Sequence, residues 1–93
     1  MIQSFADKPT EAIWLGRRPP ELPPLIHNVA LRNLTQPGAL SNLAERRIPP
    51  GNRLEALKRD RSGQHSIRVN DQYRICFRRD GSNAHDVEIT DYR

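Results

Sequence analysis

Between Arg46 and Arg79 the chain carries ten Lys or Arg side chains against three acids. Residues 1–45 balance four cations against four acids, and residues 80–93 hold one cation and four acids. The net charge of +4 over 93 residues is therefore the remainder of a strong local excess. Thirteen of the fifteen cations are Arg, with Lys8 and Lys58 the two lysines. A guanidinium is a planar, permanently charged donor fork that fits phosphate oxygens in pairs, so this region is equipped to hold phosphate esters. The bland alternative is a solvated surface that keeps the chain soluble. Other chemistries have less to stand on. His27 and His85 lack metal-ligand spacing, Cys76 has no His beside it in the sequence, and no nucleophile motif is present.

These arginines need a scaffold, and the sequence predicts one domain over residues 1–93. "MIQSF" reads as a short edge strand. "DKPTEAIWLG" reads as one short helix, with Asp7 as N-cap and Gly16 near its end. The Pro-rich "RRPPELPPL" breaks it, and its last prolines suit the first turn of a second helix, roughly residues 23–36. Leu25, Val29, Leu31 or Arg32, and Leu34 form the expected apolar stripe, and Trp14 is expected in the core. "ALSNLAERR" allows a further turn or short helix. After Asn52 the period changes to two. "HSIRV", "QYRICFR" and "HDVEITDY" alternate as half-buried antiparallel strands do, joined by turns at "NDQ" and "RDGSN". "RLEAL" is an earlier strand with imperfect alternation. The fold class is thus α+β: an N-terminal strand, two to three helices, then a mostly antiparallel sheet.

Alternation assigns faces. Ile67, Val69, Tyr73, Ile75, Phe77, Val87 and Ile89 point toward the helices, and His65 shares their parity. Arg68, Arg74, Cys76, Arg78, Glu88, Thr90 and Tyr92 point the other way. The helices can cover only one face of so small a sheet, so the second face, with Arg68, Arg74 and Arg78, meets solvent or a ligand. Arg74 has two readings on that face, a phosphate clamp or a cross-strand partner for Glu88.

At this point "PPGNRLEALKRDRSGQHSIRVNDQYRICFR", followed by "DVEITDY", resembles the HigB-type toxins of the RelE/ParE superfamily. The resemblance is close over about residues 48–92 and weak across the helical half. It implies a RelE-like fold and a ribosome-dependent endoribonuclease that cuts messenger RNA in the ribosomal A site. The reaction is metal-free and uses no cofactor: the ribose 2′-OH attacks the adjacent phosphate. Such chemistry needs a base at the hydroxyl, cations around the phosphorane and an acid for the leaving 5′ oxygen. By resemblance, Lys58 and Arg74 serve phosphate stabilisation and proton transfer, and Asp91 and Tyr92 form the active carboxy-terminal pair. Arg68, Arg78 and Arg93 are assigned contacts to RNA.

The chain departs from the family at a few positions. It ends in Arg93 where the family commonly has His; Arg can hold a phosphate but cannot act as a base. Glu55 stands where some relatives carry His, and His65 where Trp is usual. The resemblance also implies a helix-turn-helix, HigA-like antitoxin that contacts roughly residues 7–45, with ribosome and mRNA as targets and operator DNA reached only through the antitoxin. Two other functions fit a related chain, a non-catalytic gyrase-binding toxin and a degenerate toxin acting only in operon autoregulation. The single Cys76, the absence of any apolar run near the roughly 20 residues that span a bilayer, and an amino terminus unlike a secretory signal lead to a cytoplasmic expectation with no membrane contact.

Overall fold

The computed structural model describes residues 2–35, 40, 55–57 and 63–91. Two helices, α1 (Lys8–Trp14) and α2 (Pro24–Leu34), precede four strands, β1 (Glu55–Ala56), β2 (Gln64–Arg68), β3 (Tyr73–Asp80) and β4 (Asn83–Asp91). The strands form one antiparallel sheet in the order β1-β2-β3-β4, so the α+β class is as expected. The amino terminus runs parallel to β4 through two bridges, Ile2 with Ala84 and Phe5 with Val87, and so lies along its free edge. The expected further turn or helix in "ALSNLAERR" lies outside the described residues, Leu40 excepted, and Leu40 is buried.

Local chemistry sets the helix ends. Asp7 caps α1 by accepting from the Thr10 amide at 2.9 Å, with Pro9 in the first turn where its missing N–H does no harm. Gly16 stops the helix with φ +83°, a left-handed conformation that residues with a Cβ resist. There Arg17 N donates to Ala12 O at 2.8 Å and Gly16 N to Ile13 O at 2.9 Å, the paired bonds of a Schellman motif. In α2, Pro24 supplies a preset first turn, and Thr35 closes the helix by donating both its amide (3.0 Å) and its hydroxyl (2.8 Å) to Leu31 O.

One core joins the helices to one sheet face. Ile13, Ile26, Ala30 and Leu34 pack with Ile67, Ile75, Phe77, Val87 and Ile89. Leu34 is buried and Leu31 packs against the core as expected, while Ile26 and Ala30 take the places expected for Leu25 and Val29; Leu25 is 90% exposed. Trp14 is a second correction. It lies 43% exposed at the end of α1, with its ring 5.5 Å from that of Phe5, because the buried face of so short a helix is taken by Thr10 and Ile13. The Thr10 hydroxyl accepts from the Ile89 amide at 2.9 Å and so fixes α1 to β4. His27 is buried, and its Nε2–H donates to Leu22 O at 2.9 Å, which ties α2 to the Pro-rich turn.

The two hairpins turn where expected. Asn70 Oδ1 accepts from the amides of Gln72 and Tyr73 between β2 and β3. Gly81, with φ +61°, and Ser82 form the two-residue turn between β3 and β4. A β-bulge then shifts the β3–β4 register between Cys76 and Arg78, placing Asp86 and Val87 together opposite Phe77. Asp86 takes φ +53°, which a short polar side chain tolerates. Its amide is satisfied by Ser4 Oγ at 2.9 Å. The bulge explains how Ala84 joins Val87 and Ile89 in the core although strict alternation from Val87 would turn it outward.

Candidate functional site

Antiparallel register builds the second face row by row, because directly paired residues share a face. One row runs Glu55, Ser66, Cys76, Glu88; the next runs Arg68, Arg74, Thr90; a third runs Gln64, Arg78, His85. The three arginines expected to share this face do so. The face is not uniformly open, however, since Ser66 and Cys76 at its centre are buried. This corrects the expectation that everything opposite the helices meets solvent.

Arg74 lies in the middle of its row on this face. It sits opposite Arg68 on β2 and Thr90 on β4, and its side chain lies down across β2. Nη1 donates to Ser66 Oγ at 3.3 Å and to Glu55 Oε2 at 3.4 Å. The side chain keeps 24% exposure, so the guanidinium is half-sunk and still reachable from solvent. On β4 the strand partner of Arg74 is Thr90, and Glu88 is the partner of Cys76 in the adjoining row; the guanidinium also reaches an acid on β1.

The other predicted residues distribute unevenly. Arg68 turns to Asp71 in the hairpin loop, an ion pair and hydrogen bond three residues apart. Arg78 pairs its Nε with Asp86 Oδ2 at 3.3 Å and stays 63% exposed. Asp91 pairs with Tyr73 at the end of β4, which puts it on the parity of Ile75 and Ile89 and not on the face of Arg74. It is exposed and accepts from Gln72 Nε2 at 2.9 Å. Lys58, Tyr92 and Arg93 lie outside the described residues. His65 stacks on Phe77, ring centroids 6.1 Å apart, on the helix-facing side as its parity predicts. Among the described residues no three His, Cys, Asp or Glu side chains group closely enough to hold a metal ion.

Sequence reasoning passed over Glu55 and Ser66 as parts of the site. Glu55 was visible only as a departure from relatives, in a strand too short to show alternation. Ser66 has the parity of Arg68, a signal that was present, but a serine in a strand carries no charge to mark it. Together they make a small polar constellation: a carboxylate, a hydroxyl and a guanidinium meeting at one nitrogen, on a face with two further cations. The arrangement can bind an anion at Arg74 and offers a carboxylate beside it to take a proton.

On the helical side, a groove of about 300 Å³ runs between α1 and the Pro-rich turn, lined by Pro9, Ala12 and Pro20 together with Lys8, Arg17, Arg18 and Glu21. Trp14, Leu15 and Leu25 are the large apolar residues left exposed on the described helical half. Among the described residues no helix is long and apolar enough to cross a membrane.

Comparison with known proteins agrees with this architecture. A family described as the RelE-like toxin of the type II toxin–antitoxin system HigB matches residues 3–92. Toxin HigB-1 of Vibrio cholerae serotype O1 is 40% identical over 78 residues, which cover 83% of this chain and 82% of that protein. An uncharacterized protein of Haemophilus influenzae is 31% identical over 69 residues, 74% of this chain and 68% of its own length. The family match extends across the helical half, where the motifs of the sequence alone were weak. With a basic sheet face, a helical layer behind it and a match along nearly its whole length, this chain belongs to the RelE-like HigB toxins of type II toxin–antitoxin systems, proteins that act opposite an antitoxin partner.

Proposed function

We propose that this toxin is a ribosome-dependent endoribonuclease that cuts messenger RNA in the ribosomal A site. The observation that carries the reading is Arg74, lying across a basic sheet face with its guanidinium beside the Glu55 carboxylate. In the proposed reaction the ribose 2′-oxygen forms a bond to the adjacent phosphorus, the bond to the 5′ oxygen breaks, and a 2′,3′-cyclic phosphate and a 5′-hydroxyl result. The 2′-hydroxyl proton passes to a base and the 5′ oxygen gains a proton from an acid. Arg74 stabilises the extra negative charge of the phosphorane, an interaction strengthened when its donors are prepositioned. Glu55 is the acceptor the geometry favours for the 2′-hydroxyl proton. Lys58 is assigned with Arg74, from family resemblance, to phosphate stabilisation and proton transfer, and Tyr92 to stacking on a base or proton donation. Asp91 is assigned with Tyr92 to the carboxy-terminal pair. Arg68, Arg78 and Arg93 hold the RNA backbone, contacts that position without reading sequence. No metal and no organic cofactor enters this scheme.

The partner is proposed to be a helix-turn-helix, HigA-like antitoxin seated on the helical half, with operator DNA contacted through it. Trp14, Leu15 and Leu25, the large apolar residues exposed among the described ones, all lie on the helical half, beside which the groove between α1 and the Pro-rich turn opens, and this supports that side as the docking surface.

The deciding experiment incubates the purified toxin with ribosomes programmed with a defined message, with the same RNA free in solution and with gyrase in a supercoiling assay. Cleavage of the ribosome-bound message alone is expected. Efficient cutting of naked RNA, or inhibition of gyrase with the message intact, overturns the proposal.

A further inference from the structure

Ser66 is fully buried, 0% exposed, yet it belongs to the face of Arg74 and not to the helix-facing core. It stands between Glu55 on β1 and Cys76 on β3 in one cross-strand row, and Arg74 belongs to the adjoining row. Diagonal neighbours of this kind lie roughly 7 Å apart, within reach of a long side chain. On its way to Glu55 the Arg74 side chain therefore passes over residue 66. A serine leaves that path open, while a larger side chain would stand in it. The hydroxyl also accepts from Arg74 Nη1 at 3.3 Å, alongside the Glu55 bond from the same nitrogen at 3.4 Å. A partly exposed ion pair by itself orients an arginine poorly. Two acceptors on one nitrogen define a direction, and a neutral hydroxyl does so without cancelling the positive charge.

We propose that Ser66 is a positioning residue for Arg74: its small size leaves the passage and its buried hydroxyl fixes the guanidinium over the sheet face before RNA arrives. The inference rests on the reading of Arg74 as the phosphate clamp. It assigns Ser66 no contact with RNA and no part in proton transfer. Its effect is on how much of the Arg74 rotamer population is already in place when the phosphorane forms.

The test compares wild type, Ser66→Ala, Arg74→Ala and the double variant. Ser66→Ala only removes an oxygen, so it should fold, and its unfolding midpoint and ribosome affinity should remain close to wild type. Its single-turnover cleavage of ribosome-bound message should fall about tenfold, the scale of losing a hydrogen bond to a charged group. In the Arg74→Ala background the same change should have no further effect. A second readout needs no activity. In the free toxin, the Nη signals of Arg74 should show hindered rotation by NMR, and Ser66→Ala should release it. Additive loss in the double variant, or an Arg74 spectrum unchanged by Ser66→Ala, overturns the positioning role. Wild-type protein that leaves ribosome-bound message intact refutes the nuclease reading instead, and the NMR comparison still decides whether Ser66 holds Arg74.

Discussion

Arg68 and Arg74 stand directly opposite each other across the β2–β3 ladder, and each guanidinium is drawn to a carboxylate of its own, Arg68 to Asp71 in the turn and Arg74 to Glu55 two strands away. Like charges placed opposite one another destabilise a sheet, and these two acids offset part of that repulsion. The consequence is a cross-strand row of two cations, each with a carboxylate beside it.

Arg74→Ala should lower cleavage of ribosome-bound message by roughly 10²-fold or more, as removal of a preorganised donor to a developing oxyanion does. Stability should change by no more than about 1 kcal/mol, since the ion pair it breaks is partly exposed. Single-turnover kinetics with a thermal melt check both. Full growth inhibition by the variant at equal expression would place the active cleft elsewhere.

Glu55→Gln retains size and hydrogen bonding while removing the proton acceptor. If Glu55 takes the 2′-hydroxyl proton, the cleavage rate should drop about 10²-fold or more, the typical contribution of a general base. Ribosome affinity should hold or rise slightly, because a negative charge leaves a basic face. A variant as fast as wild type would remove Glu55 from the chemistry and leave it as an ion-pair partner of Arg74.

Salt dependence separates phosphate contacts from other binding. Ribosome affinity of the wild type should fall steeply as salt rises, through counterion release. Replacing Arg68 or Arg78 with Ala should weaken binding across messages alike and lower the logarithmic salt slope by about 1 each. A slope unchanged in either variant would mean that arginine faces away from the RNA.

Helix α1 offers a stability test independent of function. Asp7→Ala should destabilise by about 1 kcal/mol through loss of the N-cap bond to Thr10. Gly16→Ala meets no neighbouring atom, so any loss there, of order 1 kcal/mol, comes from the left-handed backbone alone. Chemical denaturation of both variants measures this. A Gly16→Ala protein more stable than wild type would show that the helix end has relaxed to another conformation.

Leu25→Asp and Trp14→Ala should weaken antitoxin binding by about tenfold each, the loss expected when a moderately important apolar contact is removed from an interface. Both should keep the fold, as Leu25 is nearly bare and Trp14 is half-exposed, and both should keep cleavage. Hydrogen exchange on the complex should show protection in residues 7–35. Protection confined to residues 66–91 would mean that the antitoxin covers the basic face directly.

The amino-acid sequence determined by itself what depends on short-range order. The cap at Asp7, the stop at Gly16, the Pro-set start of α2 and the two hairpin turns are local, so residue type and spacing sufficed for each. A period of two likewise assigned Arg68, Arg74 and Arg78 to one face, because alternation is a property of the strand alone. Tertiary structure decided what depends on register. The bulge at Asp86 returns Ala84 to the core, and it is held by Ser4, more than eighty residues away in sequence. The first half of the α2 stripe shifted by one residue, to Ile26 and Ala30, and Trp14 stayed outside the core, since a helix of eleven residues and one of seven can rotate to whichever face the sheet fills. Most consequential is the path of Arg74 over Ser66 to Glu55. A long side chain chooses its partner diagonally across strands, and only the register of β1 on β2 and β2 on β3 brings those three residues to one nitrogen.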